Sequence, residues 1–200
     1  MSLALFKILN LIPKLIDKIG IEYTKRLLKS KGQVHSSLDI GKNTHLQIHP
    51  KIKNLTIKEN VRWKTNNAIR MYEGATLIFE KDVYFSDYVS INCLDKIIVG
   101  ENSWIGEGSK LYDHNHAFVT EPEYKWKVRE FETAPIIIGK NVKIYSNVTI
   151  LKGVTIGDNC IIGANVTLYK DIPANSIVIN KSENIVKNIF EFKKGKSEKN

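Results

Sequence analysis

The sequence predicts an all-β fold, a three-sided parallel β-helix wound from six-residue repeats, with a helical segment at each end. Two observations carry that prediction. Written in sixes from Ile138, the chain reads IGKNVK IYSNVT ILKGVT IGDNCI IGANVT LYKDIP. An aliphatic residue opens each hexad (Ile138, Ile144, Ile150, Ile156, Ile162, Leu168), and an apolar one fills the fifth place of the first five (Val142, Val148, Val154, Cys160, Val166). With 42% of residues apolar, chance would give so complete a pattern about once in ten thousand trials. The second observation is the turn chemistry. Gly139, Gly157 and Gly163 follow position one, where a side chain would be crowded, and Asn141, Asn147, Asn159 and Asn165 stand where a turn favours φ > 0. A hexad supplies one short strand and one turn, and three hexads close a triangular coil with its aliphatics inward. Stacked coils then pair through parallel backbone bonds about 4.8 Å apart. Each buried Ile or Val contributes about 1.5 to 3 kcal/mol to such a stack.

Residues 1–34 form the first element, an amphipathic helical segment. Leu5, Leu9, Ile12 and Ile16 recur at helical spacing, Lys7, Lys14 and Lys18 lie elsewhere, and Pro13 is expected to kink or divide the helix. The lysines interrupt the apolar run and no small-residue cleavage site follows, unlike a secretory signal. No apolar run approaches the roughly 20 residues of a membrane span. A cytoplasmic chain is therefore expected. Two uses of the helix fit: packing on the domain or on a neighbouring subunit, or peripheral contact with an anionic lipid surface at the inner face of the membrane.

The β-helix domain is expected over 35–180. Its early coils are less regular: Ile40, Leu46 and Ile52; Ile57, Trp63 and Ile69; Phe79, Phe85 and Ile91; Val99, Ile105 and Leu111. With two coils from 138 onward they make six. The largest interruption is a loop over 117–137, and a long insertion in a regular solenoid reads as functional. After Pro173 the repeat fades, and residues 181–200 read as a C-terminal capping helix with a basic tail.

Composition excludes several classes. The 200 residues amount to about one domain. Cys93 and Cys160, the two cysteines, cannot build a disulfide framework or a four-thiolate zinc site. The net charge is +9, but residues 1–31 hold seven Lys or Arg against two acids and residues 181–200 hold six against three. The 149 residues between carry 17 basic and 16 acidic groups. The folded body thus lacks the basic stripe of a nucleic-acid footprint, and no nucleic-acid partner is expected.

Candidate chemistry gathers at the insertion. Of the five histidines, His114 and His116 in LYDHNH stand directly before the loop. Counted from Leu111, His116 falls sixth, on a coil corner at the lip of the insertion, while His114 could orient a neighbour or touch an acceptor. Asp113 could fix an imidazole tautomer. The loop brings Tyr124, Trp126 and Phe131 together with Lys125, Lys127 and Arg129, a mixture suited to stacking on a sugar or adenine and contacting phosphate, or equally to packing on a neighbouring subunit. A three-imidazole metal site is not expected, because no histidine follows the His-x-His pair on later coils. Cys160 occupies an inward place and Cys93 has no basic neighbour, so neither suits a nucleophilic thiolate.

At these residues the chain resembles the hexapeptide-repeat acyltransferases, and within them the maltose and galactoside O-acetyltransferases and related enzymes that acetylate surface polysaccharides. The resemblance covers about 79–180 and implies a left-handed parallel β-helix, an exception to the usual right-handed crossover. It also implies a homotrimer, acetyl-coenzyme A as co-substrate, no metal, and a sugar acceptor, small or lipid-linked. The family's catalytic base occupies the place of His116. Its cofactor contacts match Ser146 in KIYSNV, Ala164 in IGANVT and Lys170 before Asp-Ile-Pro, with Tyr169 beside the coenzyme, and Asn92 in INCLD lies near the family's acceptor-binding Asn. The chain departs from the family at Lys143, Ile144 and Tyr145, where Trp-Ile-Gly is common. The expected activity is O-acetylation of a sugar in cell-surface polysaccharide synthesis; N-acetylation of an amino sugar and non-catalytic glycan binding are the alternatives.

Overall fold

The structure, a computed structural model, describes residues 3–181. It consists of one helix and a parallel β-solenoid whose strands form three sheets, one per face, plus a two-stranded antiparallel hairpin. This is the architecture expected of the left-handed β-helix. The first face stacks Val34, Ile57, Phe79, Val99, Ile138 and Ile156; the second stacks Ile40, Trp63, Phe85, Ile105, Ile144 and Ile162; the third stacks Leu46, Ile69, Ile91, Leu111, Ile150 and Leu168. Six coils result, as the hexads predict.

Two details differ from the sequence reading. The first coil begins at Val34, so Ile40 and Leu46 fall on the second and third faces and Ile52 belongs to a connection. Beyond Pro173 the solenoid continues into a partial seventh coil, in which Ile172 bridges to Ile156 and Ile177–Val178 pairs with Ile161–Ile162. The early coils look irregular because their strands at the third-to-first corner run to four residues and bury a second apolar residue. Met71 and Cys93 accompany Ile69 and Ile91, and Leu55 and Leu77 accompany Ile57 and Phe79. That stretches the coil from 18 residues, between Ile138 and Ile156, to 22, between Ile57 and Phe79.

The corners obey the turn chemistry. Asn141, Asn147, Asn159 and Asn165 all adopt φ between 54° and 60°. The asparagines at one corner also bond to each other up the stack, Asn102 to Asn141 at 2.9 Å, Asn141 to Asn159 at 3.1 Å and Asn159 to Asn175 at 3.0 Å. At Gly139 an added Cβ would lie 2.8 Å from the backbone N of Asp158, which is why no larger residue follows the inward isoleucine there.

The helix runs unbroken over Leu3–Lys31 with Pro13 inside it. Proline deletes one backbone bond, and the surrounding Leu, Ile and Lys are good enough helix formers to carry the helix past it. Leu28 is fully buried on the solenoid, Ile21 packs against the core, and Asp17 pairs with Lys42 at 3.3 Å. The C-terminal helix expected over 181–200 lies, after its first residue, outside the described residues.

Candidate active site

The insertion between coils 4 and 5 is a hairpin, not an irregular loop. Strand His114–Val119 pairs antiparallel with Lys125–Thr133. The coil is left after Asp113 and rejoined at Ile136–Ile138, whose first and last residues are buried, so the excursion starts and ends earlier than the expected 117–137. Its neck is closed by the Ala134 N–H, which donates to the Asp113 carbonyl at 2.9 Å. Below it, coil 5 is seated on coil 4 by two fully buried serines. The Ser103 hydroxyl bonds the Gly139 carbonyl and the Val142 N–H, and the Ser109 hydroxyl bonds the Tyr145 carbonyl and the Val148 N–H.

Asp113 is fully buried. Its carboxylate accepts the N–H groups of Leu94 and Asp95, each at 2.8 Å, and stands 3.3 Å from Nδ1 of His114. It therefore ties the third-to-first corner of coil 3 to the neck and orients one imidazole. The His114 ring, with 16% of its side chain exposed, sits among Phe131, Tyr112 and Tyr72 at centroid distances of 5.5, 6.3 and 6.5 Å.

His116 does not occupy a coil corner. It lies on the hairpin strand opposite Phe131, with ring centroids 4.8 Å apart, and is exposed. The six-residue count fails there because the chain turns off the coil at Asp113. The hairpin register slips between His116 and Ala117, where residues 128–130 are extra, and a bulge of this kind re-aims side chains.

The other sequence candidates fall around the third face. Asn92 points outward from it, level with Tyr112 on one side and Arg70 on the other, the Arg70 guanidinium being 3.5 Å from the Asn92 amide oxygen. Ser146 and Ala164 stack one coil apart at the second-to-third corner, where the Asn165 N–H donates to the Ser146 carbonyl at 3.0 Å. Tyr169 and Lys170 follow the last strand of that face, exposed, with the Lys170 ammonium 5.8 Å from the Tyr169 ring centre. Tyr124 is at the hairpin tip beside Phe118, and Trp126 pairs with Phe118 in the ladder. The structure thus distributes the candidates along one face, its two corners and the hairpin that leaves it. A groove of about 700 Å³, lined by Gln33, Glu59, Glu80 and Glu101 among others, lies elsewhere.

Sequence reasoning missed Arg70 and Tyr72. They reach the site through the 22-residue offset that sets Arg70 level with Asn92, a spacing hidden by the longer early coils. The departure at Lys143 also has a structural counterpart. Its ammonium lies 3.8 Å over the ring of Trp104 one coil earlier, and burial lowers its pKa. Cys93 and Cys160 are both buried. Burial, then the nearby Asp113 carboxylate, push the Cys93 thiol well up, and its Sγ donates to the Thr76 carbonyl at 3.2 Å. Neither thiol is placed as a nucleophile. Among the described residues no cluster of three or more His, Cys, Asp or Glu could hold a metal ion.

Residues 135–170 match the family described as bacterial transferase hexapeptide (six repeats). The chain is 28% identical over 117 residues to the "Putative lipopolysaccharide biosynthesis O-acetyl transferase WbbJ" of Escherichia coli K12, covering 56% of this chain and 60% of that protein. Over 81 residues it is 37% identical to the galactoside O-acetyltransferase of the same organism, covering 40% and 38%. The chain spans about half to three-fifths of the length of the first curated relatives it matches. Among solved structures, a mutant of AntD, an N-acyltransferase from Bacillus cereus in complex with dTDP-4-amino-4,6-dideoxyglucose and coenzyme A, superimposes with a TM-score of 0.60 at 15% identity, covering 88% and 96%. At that identity the likeness is one of fold.

Proposed function

We propose that this chain is an acetyl-coenzyme A-dependent O-acetyltransferase acting on a sugar hydroxyl, small or lipid-linked, in cell-surface polysaccharide synthesis, and that it works as a homotrimer. The observation that carries the reading is the pair of imidazoles at the neck of the hairpin, one tied to a buried carboxylate and the other exposed.

In this reading His116 is the general base. Its exposed ring can take the proton from the acceptor hydroxyl as the oxygen attacks the thioester carbonyl. The carbon–sulfur bond of the tetrahedral intermediate then breaks, and the imidazolium returns its proton to the departing thiolate. His114, Asp113 and Asn92 position the acceptor, and Tyr124 and Trp126 on the hairpin supply aromatic surface for it. Ser146, Ala164, Tyr169 and Lys170 are assigned to the coenzyme, the lysine offering charge to a phosphate. In a trimer the third face of one subunit would meet the second face of its neighbour, turning a set of exposed candidates into a cleft.

A second assignment is favoured by one contact. His114 already has a carboxylate at Nδ1, the arrangement of a base with its orienting group. The two are separated by kinetics with acetyl-coenzyme A and a panel of sugar acceptors. His116→Ala should lower kcat by about 10² to 10⁴, with His114→Gln affecting mainly KM. The reverse pattern assigns the base to His114. Absence of turnover by the parent with every hydroxyl acceptor, alongside turnover with an amino sugar, would move the reaction to N-acetylation.

A further inference from the structure

The N-terminal helix presents its apolar stripe away from the protein. At about 100° per residue, Leu28, Ile21 and Asp17, the residues that meet the solenoid or its Lys42, project from one side. Leu11, Ile12, Leu15, Ile16, Ile19 and Tyr23 project within an arc of about 140° centred on the opposite side. They are uncovered: Leu15 is 58% exposed, Ile19 60% and Tyr23 67%. Along one border of this arc run Lys14, Lys18, Lys25 and Lys29, with Arg26 inside it. Of the two acids of the helix, Asp17 is turned to the body and paired with Lys42, which leaves Glu22 as the outward one.

We infer that this helix is a peripheral anchor that lies flat on an anionic lipid bilayer. An apolar arc facing away from the fold, bordered by a row of four lysines broken only at Glu22, matches the two layers of such a surface. The arc enters the acyl boundary while the row meets acidic headgroups. The helix lies on the bilayer and does not cross it, since among the described residues no helix is long and apolar enough to span a membrane. A second copy of the chain would cover the arc equally well, but an antiparallel pairing would oppose one lysine row to another and any pairing would press Arg26, inside the arc, into an apolar seam. Charge therefore favours lipid. The inference is independent of the acetyl-transfer proposal, because no helix residue belongs to the candidate site.

The test is co-sedimentation of the full chain with vesicles of phosphatidylcholine alone, or with about one-third phosphatidylglycerol. Binding is expected to the mixed vesicles and to weaken at least tenfold on the neutral ones. Lys14→Ser with Lys18→Ser should weaken it by roughly 30-fold, and Leu15→Ser with Ile19→Ser should abolish it. All four side chains face solvent, so circular dichroism and the thermal midpoint should match the parent and exclude unfolding as the cause. The inference is overturned if the parent ignores anionic vesicles, if the serine variants bind as well as the parent, or if Leu15→Ser with Ile19→Ser instead lowers the oligomer mass in solution.

Discussion

Asp113 shows how a residue flagged for chemistry can carry structure first. Its carboxylate satisfies the N–H groups of Leu94 and Asp95 in a fully buried position. Asp113→Ala leaves both donors without a partner, at about 1 to 3 kcal/mol each. Urea denaturation should register a loss of about 2 to 6 kcal/mol even if His114 plays no part in catalysis. Asp87 offers a gentler test. Two bonds from Thr65, its hydroxyl at 2.7 Å and its N–H at 2.8 Å, hold the Asp87 carboxyl below its ordinary value of 3.8. A carboxylate with a lowered folded-state pKa contributes stability that is complete above its unfolded value and is lost as pH falls through the folded one. Thr65→Val, which removes the stronger bond, should therefore cost about 1 kcal/mol at neutral pH. The gap from the parent should narrow in melts run progressively below pH 3.8.

At the scale of the element, the coil repeats a constraint that its inward residues and corners share. Ile144 is 1% exposed and pairs in register with Ile105 and Ile162. Ile144→Ala opens a cavity in a column with no slack, and a loss of about 2 to 5 kcal/mol is expected. Gly106 tests the corner separately, since a Cβ there would stand 2.4 Å from the backbone carbonyl carbon of Tyr145. Gly106→Ala adds only a methyl group, yet it should destabilise the junction of coils 4 and 5, because the obstacle is backbone that must move. Thermal denaturation registers both losses, and native-state hydrogen exchange distinguishes a hollowed column from a wedged corner. The former lowers protection throughout the column, while the latter loses it first at the junction of coils 4 and 5.

For the whole molecule, the outer side of the second face bears on assembly. Trp104, Lys143, Ile161 and Ile177 stand in one column there, with Trp104 45% and Ile177 69% exposed. A column of this kind on a stable solenoid suits a subunit contact. Sedimentation should report three times the mass of the chain, and Ile161→Lys with Ile177→Lys should reduce it to one. If acetyl transfer depends on a site shared between subunits, the same variant loses turnover while keeping its fold. Transfer that survives in the monomer would place the complete site within one chain.

Much of this was legible along the chain. The aliphatic period, the asparagine corners and the crowded glycines are local demands repeated at short spacing, and each repeat states them again, so coils 5 and 6 could be read in register from residue identities. The position of His116 could not. A six-residue count holds only while the chain stays on the coil, and the departure at Asp113 is decided by the pairing of His114–Val119 with Lys125–Thr133 and by a carboxylate that reaches the corner of the preceding coil. Arg70 and Tyr72 joined the candidate site for the same reason, since strand extension in the early coils sets which residues become level. Repetition of short-range sterics wrote the solenoid into the sequence. The site was left to contacts between residues far apart in the chain, and those exist only after the coils have stacked.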